Sequence, residues 1–90
     1  MPFEYDPAKS AASKAKHGID FEEAKALWDD GDHIVLPSRY PAEARHAVIG
    51  IVAGKLWAAI VTIRGENVRI ISVRRARDVE AETYFSRRAR

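Results

Sequence analysis

The chain has 90 residues, 47% hydrophobic and 31% charged, with a formal net charge of +2 and no cysteine. That length supports one core of modest size and excludes a cofactor cleft beside a separate substrate domain, so residues 1–90 read as a single domain. The composition is not that of a disordered chain, the longest apolar run, "LWAAIVTI", is far too short to span a bilayer, and the lack of thiols removes disulfides and thiolate metal sites.

The amino terminus, "MPFEYDPAKS", lacks the apolar stretch of a secretory signal, which makes the cytoplasm the expected location and a membrane an unexpected partner. Phe3 to Tyr5 offers a short strand. "DPAKSAASKAKHG" then predicts a first helix: Asp6 as N-cap, Pro7 at the first helical position, alanines 8, 11, 12 and 15 as a small-residue packing stripe, and Gly18 as the left-handed stop. "DFEEAKALW" predicts a second, capped by Asp20 with Glu23 completing a capping box and with Phe21, Ala24, Leu27 and Trp28 on one face. From His33 the period becomes that of strands. "HIVLP", "EARHAVIGIV", "KLWAAIVTIR" and "NVRIISVRR" follow in turn, separated by Pro41, by Ala53 and Gly54, and by Gly65, Glu66 and Asn67. "DVEAETYFSRR" closes the chain as a helix expected to dock through Val79, Tyr84 and Phe85. The fold class is α+β: two N-terminal helices, an antiparallel meander of about four strands, and a C-terminal helix.

Charge is distributed unevenly along this plan. Residues 1–63 hold seven Lys/Arg against nine Asp/Glu, whereas residues 64–90 hold eight arginines, no lysine and four acids. An arginine offers a planar fork for phosphate or carboxylate, so the expected partner is anionic, an RNA or an acidic protein surface. A two-residue loop at Ala53 and Gly54 sets Arg45 opposite Thr62, and a three-residue loop at 65–67 sets Arg64 opposite Val68 and Thr62 opposite Ile70. One face then carries Val48, Val52, Trp57, Ala59, Val61, Ile63, Ile71 and Val73. The other carries Glu43, Arg45, Thr62, Arg64, Ser72 and Arg74 among isoleucines, with Arg69 and Arg75 intruding on the first. Bland roles stand beside this sorting. Arg87, Arg88 and Arg90 read as a solvated tail, Arg45 or Arg74 as a structural ion-pair partner, and His17 as a donor to the carbonyls at a helix end. No His/Asp/Glu spacing reads as a metal site, and no glycine-rich loop as a phosphate cradle.

The succession "FEYDPAKSAASKAKHGIDFEEA", "EARHAVIG", "VTIRGENVRIISVRRAR" and a final Glu80 and Tyr84 resembles the BrnT toxins of bacterial type II toxin–antitoxin systems over nearly the whole chain. The resemblance implies a RelE-like fold, a ribonuclease that needs no metal or other cofactor and inhibits translation, and a BrnA-type ribbon-helix-helix antitoxin, with two toxins and two antitoxins in the neutralised complex. Matched by position, it points to His17, Glu43, Arg45, Arg64, Arg74 and Tyr84 as catalytic candidates and to Lys16, Arg69 and Arg75 as RNA-binding ones. Ala81 departs from the pattern, standing where a basic residue is expected. For cleavage by the RNA's own 2′-hydroxyl, the arginines suit the charge clamp and His17, Glu43 and Tyr84 the proton transfers, with His17 first on its near-neutral pKa. The alternative is a non-catalytic module that binds RNA or protein through the same basic face.

Overall fold

The computed structural model of the chain describes residues 2–38 and 44–89. Strand β1 (Phe3–Tyr5) leads directly into helix α1 (Pro7–His17), which starts where expected because the Asp6 carboxylate accepts from Ala8 N at 2.8 Å and Pro7 presets the first turn. It ends at Gly18, whose φ of 81° lets its N–H return to Lys14 O at 3.0 Å. Helix α2 (Phe21–Ala24) is held by the reciprocal bonds of Asp20 and Glu23, 2.7 and 3.0 Å long. It is shorter than its apolar spacing suggested: from Lys25 to Asp29 the chain tightens into a 3₁₀ helix, which still buries Leu27.

The side of α1 that packs is not the alanine stripe. Ala8, Ala11, Ala12 and Ala15 are exposed, and Ser10 and Ser13 are buried. The reason is the sharp return at Gly18, which brings the following backbone under the helix and requires hydrogen-bonding partners there. Ser13 Oγ donates to Ile19 O at 2.7 Å, and Ser10 Oγ accepts from Phe21 N at 2.9 Å. Ser13→Ala is expected to cost roughly 1–2 kcal/mol by leaving a buried carbonyl without its donor, whereas Ala12→Ser should stay within about 0.5 kcal/mol; urea midpoints at constant m-value check both.

Strands β2 (Ile34–Pro37), β3 (Arg45–Val52), β4 (Lys55–Arg64) and β5 (Asn67–Arg75) form the antiparallel meander, and helix α3 (Asp78–Arg88) follows. The sheet has five strands among the described residues, in the order β1-β5-β4-β3-β2, because Phe3–Tyr5 adds to β5 in parallel. It is therefore mixed. The β3–β4 register is as expected, Arg45 opposite Thr62 and Val52 opposite Lys55, around a turn in which Ala53 and Gly54 both have positive φ, 51° and 78°. The β4–β5 register is not. Two residues, Gly65 and Glu66, make the loop, so Arg64 pairs with Asn67 and Thr62 with Arg69; then a bulge inserts Ile71, and from Ile60 opposite Ser72 onward the expected pairing is restored.

These pairings sort the core into two layers. Val48, Trp57, Ala59, Val61, Val68, Ile70 and Val73 face Ile19, Phe21, Ala24 and Leu27 on one side. Ala47, Ile49, Ala58 and Ile60 face Tyr84 on the other. At the end of the sheet, Gly50 leaves room for Leu27, whose carbonyl oxygen would lie 3.2 Å from an added Cβ. Of the three residues expected to dock α3, Tyr84 is fully buried, but Val79 and Phe85 are 71% and 50% exposed, since the helix turns its Glu80, Ala81 and Tyr84 side to the sheet.

Candidate active site

The N-terminal end of α3 does not lie flat on the sheet. Between it, the end of β2 and the meander opens a cavity of about 690 Å³. Its apolar wall is Leu36, Pro37, Ala47, Ile60 and Val79, and its polar side is Ser38, Arg45, Ser72, Arg74, Arg77 and Glu80. Arg45 opens β3, Arg74 comes from β5 beyond the bulge, and Arg77 is the N-cap of α3. Three arginines from three elements thus border one hollow, beside apolar side chains that lower the local dielectric and so strengthen charge interactions along that wall.

Glu80 organises this side. Both its oxygens accept from Arg74, at 2.7 and 2.9 Å, and Oε1 also accepts from Arg77 N at 2.8 Å. The Arg74 hydrogen bonds, more than offsetting burial, hold the Glu80 carboxyl below its usual range. It is therefore an anion near neutral pH whose acceptor sites are engaged, which suits a scaffold better than a base. The same carboxylate satisfies the first turn of α3, a task the Arg77 side chain has no acceptor for.

The other expected site residues are dispersed. Arg64 shares the face of Arg45 and Arg74 but stands at the far end of β4, 58% exposed, with Nε 4.0 Å from Glu4 Oε1. Arg69, expected on the opposite face, lies on this one because of the two-residue loop, 3.6 Å from the same oxygen. Arg75 is on the other face, 5.4 Å from the Trp57 ring centroid, and donates to Leu56 O at 3.3 Å. Lys16 and His17 end α1, on the side of the sheet opposite the cavity. Tyr84 does not line the hollow: its hydroxyl donates to Asp30 Oδ2 at 2.6 Å, and burial, with that hydrogen bond, pushes its pKa up to about 12. Glu43 lies outside the described residues. Among the described residues no histidine borders the cavity, and no three His, Asp or Glu side chains gather as metal donors.

Sequence reasoning missed Arg77 and the central place of Glu80. The signal was present as "RRARDVE": a glutamate three residues into a helix, preceded by closely spaced arginines, is placed by its capping role within reach of them. A family model described as the ribonuclease toxin BrnT of type II toxin–antitoxin systems matches residues 5–80. No curated protein matches the chain.

Proposed function

The chain belongs to the BrnT family of ribonuclease toxins, and on that premise we propose that it cuts RNA at the cavity beneath the start of α3, without a metal ion, and thereby arrests translation. The observation that carries this reading is the convergence of Arg45, Arg74 and Arg77 on one hollow with Glu80 locking Arg74 in place. A cleaving phosphate gains negative charge as the 2′-hydroxyl attacks, and guanidinium groups fixed in advance stabilise that charge by about 2–4 kcal/mol each. Ser72 and Ser38 add hydroxyls beside them, and the apolar wall offers a surface for a flanking base. For the proton transfers we favour Glu43, two residues before Arg45 in sequence, over His17 on the opposite side of the sheet and Tyr84 in the core.

The neutralising partner in this reading is a BrnA-type antitoxin bound in the cytoplasm, in a complex of two toxins and two antitoxins. The rival reading, a binding module without chemistry, draws its support from the Arg74–Glu80 pair, whose geometry is also that of a structural ion pair. One experiment separates them. The purified, antitoxin-free chain is incubated with RNA in EDTA, and cleavage leaving a 2′,3′-cyclic phosphate is expected at a rate unchanged by the chelator. Intact RNA would exclude the enzyme reading, and cleavage that EDTA abolishes would exclude the metal-independent mechanism.

A further inference from the structure

One row of backbone partners crosses the sheet from the cavity to its far edge: Arg45 opposite Thr62, Thr62 opposite Arg69, Arg69 opposite Glu4. All four side chains emerge on the cavity's face. Arg64, paired with Asn67 two rows further on, extends the charge toward the β4–β5 turn. From Arg45 to Arg69 is two strand spacings, about 10 Å, a separation that two long arginine side chains can match to phosphates one or two nucleotides apart.

The pairing of Arg69 and Arg64 differs in kind from that of Arg74. Glu80 grips Arg74 with two hydrogen bonds, 2.7 and 2.9 Å. Glu4 instead stands 3.6 Å from Arg69 and 4.0 Å from Arg64, both measured to the single oxygen Oε1 and both beyond hydrogen-bond contact, while its other oxygen accepts from Asn67 Nδ2 at 3.3 Å. One carboxylate facing two guanidinium groups leaves a net positive charge. The site is partly open, with side-chain exposures of 32% for Arg69, 58% for Arg64 and 33% for Glu4.

We propose that Arg69 and Arg64 form a second phosphate-binding subsite, continuous with the cleavage cavity through Arg45, that holds single-stranded RNA beyond the cut, and that Glu4 restrains it by competing for the same arginines. The inference rests on RNA being the cavity's ligand. An RNA backbone is favoured over a protein segment because the surface is polar, with Thr62 between Arg45 and Arg69 and Asn67 opposite Arg64.

The test is binding of a labelled 2′-O-methyl oligonucleotide of about twelve nucleotides, which lacks the attacking hydroxyl, titrated at several salt concentrations. Arg69→Ala and Arg64→Ala should each weaken binding, by about tenfold at low salt, and reduce the slope of log affinity against log salt by roughly 0.7. Glu4→Gln should do the reverse and tighten binding about two- to fivefold, as loss of an exposed competitor would. Lys9→Ala, on exposed α1, is the control for bulk charge. The proposal fails if Arg69→Ala behaves as Lys9→Ala does, if Glu4→Gln weakens binding in a protein of unchanged melting temperature, or if the arginine variants lose only the antitoxin. Cleavage of ordinary RNA is scored separately. Tight, Arg69-dependent binding without cleavage would overturn the ribonuclease reading and leave this subsite standing, whereas cleavage indifferent to Arg69 would do the opposite.

Discussion

Replacing Arg45 or Arg74 with alanine is expected to slow RNA cleavage by roughly 30- to 1000-fold, the rate equivalent of losing one preorganised charge contact in the transition state. Single-turnover rates on one RNA measure it directly, and loss of growth arrest reports it in cells. The two variants should differ in stability. Arg74→Ala strips Glu80, which is only 9% exposed, of both guanidinium bonds, and should cost roughly 1–3 kcal/mol, so a melting curve must accompany its rate. Arg74→Lys keeps the charge and loses the fork; it should remain folded yet cut slowly, because an ammonium cannot be held by both carboxylate oxygens and still present a planar edge to the phosphate. Arg88→Ala removes an exposed contact to Asp32 at 3.3 Å and should change neither property by much. Full activity in folded Arg45→Ala and Arg74→Lys proteins would remove the cavity from consideration.

The largest loss of stability is expected at Asp30. Its Oδ2 accepts from the Tyr84 hydroxyl at 2.6 Å and from Ile51 N at 2.9 Å, while Oδ1 accepts from Asp32 N at 2.9 Å. This one carboxylate joins the loop after the 3₁₀ helix to β3 and to α3, elements on both sides of the sheet. Asp30→Ala leaves a fully buried phenol and a strand amide without partners and should cost roughly 3–5 kcal/mol, with Asp30→Asn, which retains an acceptor, about half of that. Urea midpoints decide the matter. Burial raises the Asp30 carboxyl pKa, but the bonds from Tyr84, Ile51 and Asp32 outweigh it and hold the group below its ordinary value. A depressed folded pKa means that the stabilisation is complete above about pH 5, where the unfolded carboxyl is almost fully ionised, and is lost as pH falls through the lower folded value. Glu80 adds a loss of the same sign. At the alkaline end Tyr84 contributes oppositely: its pKa of about 12 means stability declines as pH rises from roughly 10 toward 12. A fold whose acid limb is unmoved in Asp30→Asn would show that these bonds do not set it.

How far the chain could be read depended on whether the determinant was local. Asp6, Gly18, Asp20 and Glu23 act within a few residues of their own positions, and each does what its spacing indicated. The Ala53–Gly54 turn set its strand register correctly for the same reason. The burial of Ser10 and Ser13 is not legible in the sequence, because their partners, Phe21 N and Ile19 O, become neighbours only after the chain reverses at Gly18, and an alanine stripe is the more familiar packing surface. Val79 and Phe85 were assigned to the core on hydrophobicity alone, yet the orientation of α3 is fixed by the Tyr84–Asp30 and Glu80–Arg74 bonds, both of which arise from tertiary contact. At the candidate site, register alone places Arg45 and Arg74 on one face, a three-residue loop where the chain has two puts Arg69 on the wrong one, and Arg77 reaches the cavity as a capping residue, a position that strand periodicity does not address.

The extra residue at Ile71 gives β5 an arithmetic of its own. In an unbroken strand, side chains on one face are separated by even numbers of positions, but Arg69 and Arg74 are five apart and still emerge together. Continued without the bulge, the pairing at the turn would set Arg74 against Trp57, in the opposite layer, and the cavity would lose one of its arginines. A single deletion between residues 69 and 74 would remove the extra residue and leave the two arginines four apart, on one face of an unbroken strand with Arg74 still opposite Ala58, whereas straightening the bulge at the present length would turn Arg74 into the other layer. Length and bulge are therefore exchangeable only together: an interval of five requires the extra residue and an interval of four requires its absence, and either combination keeps the two arginines on one face.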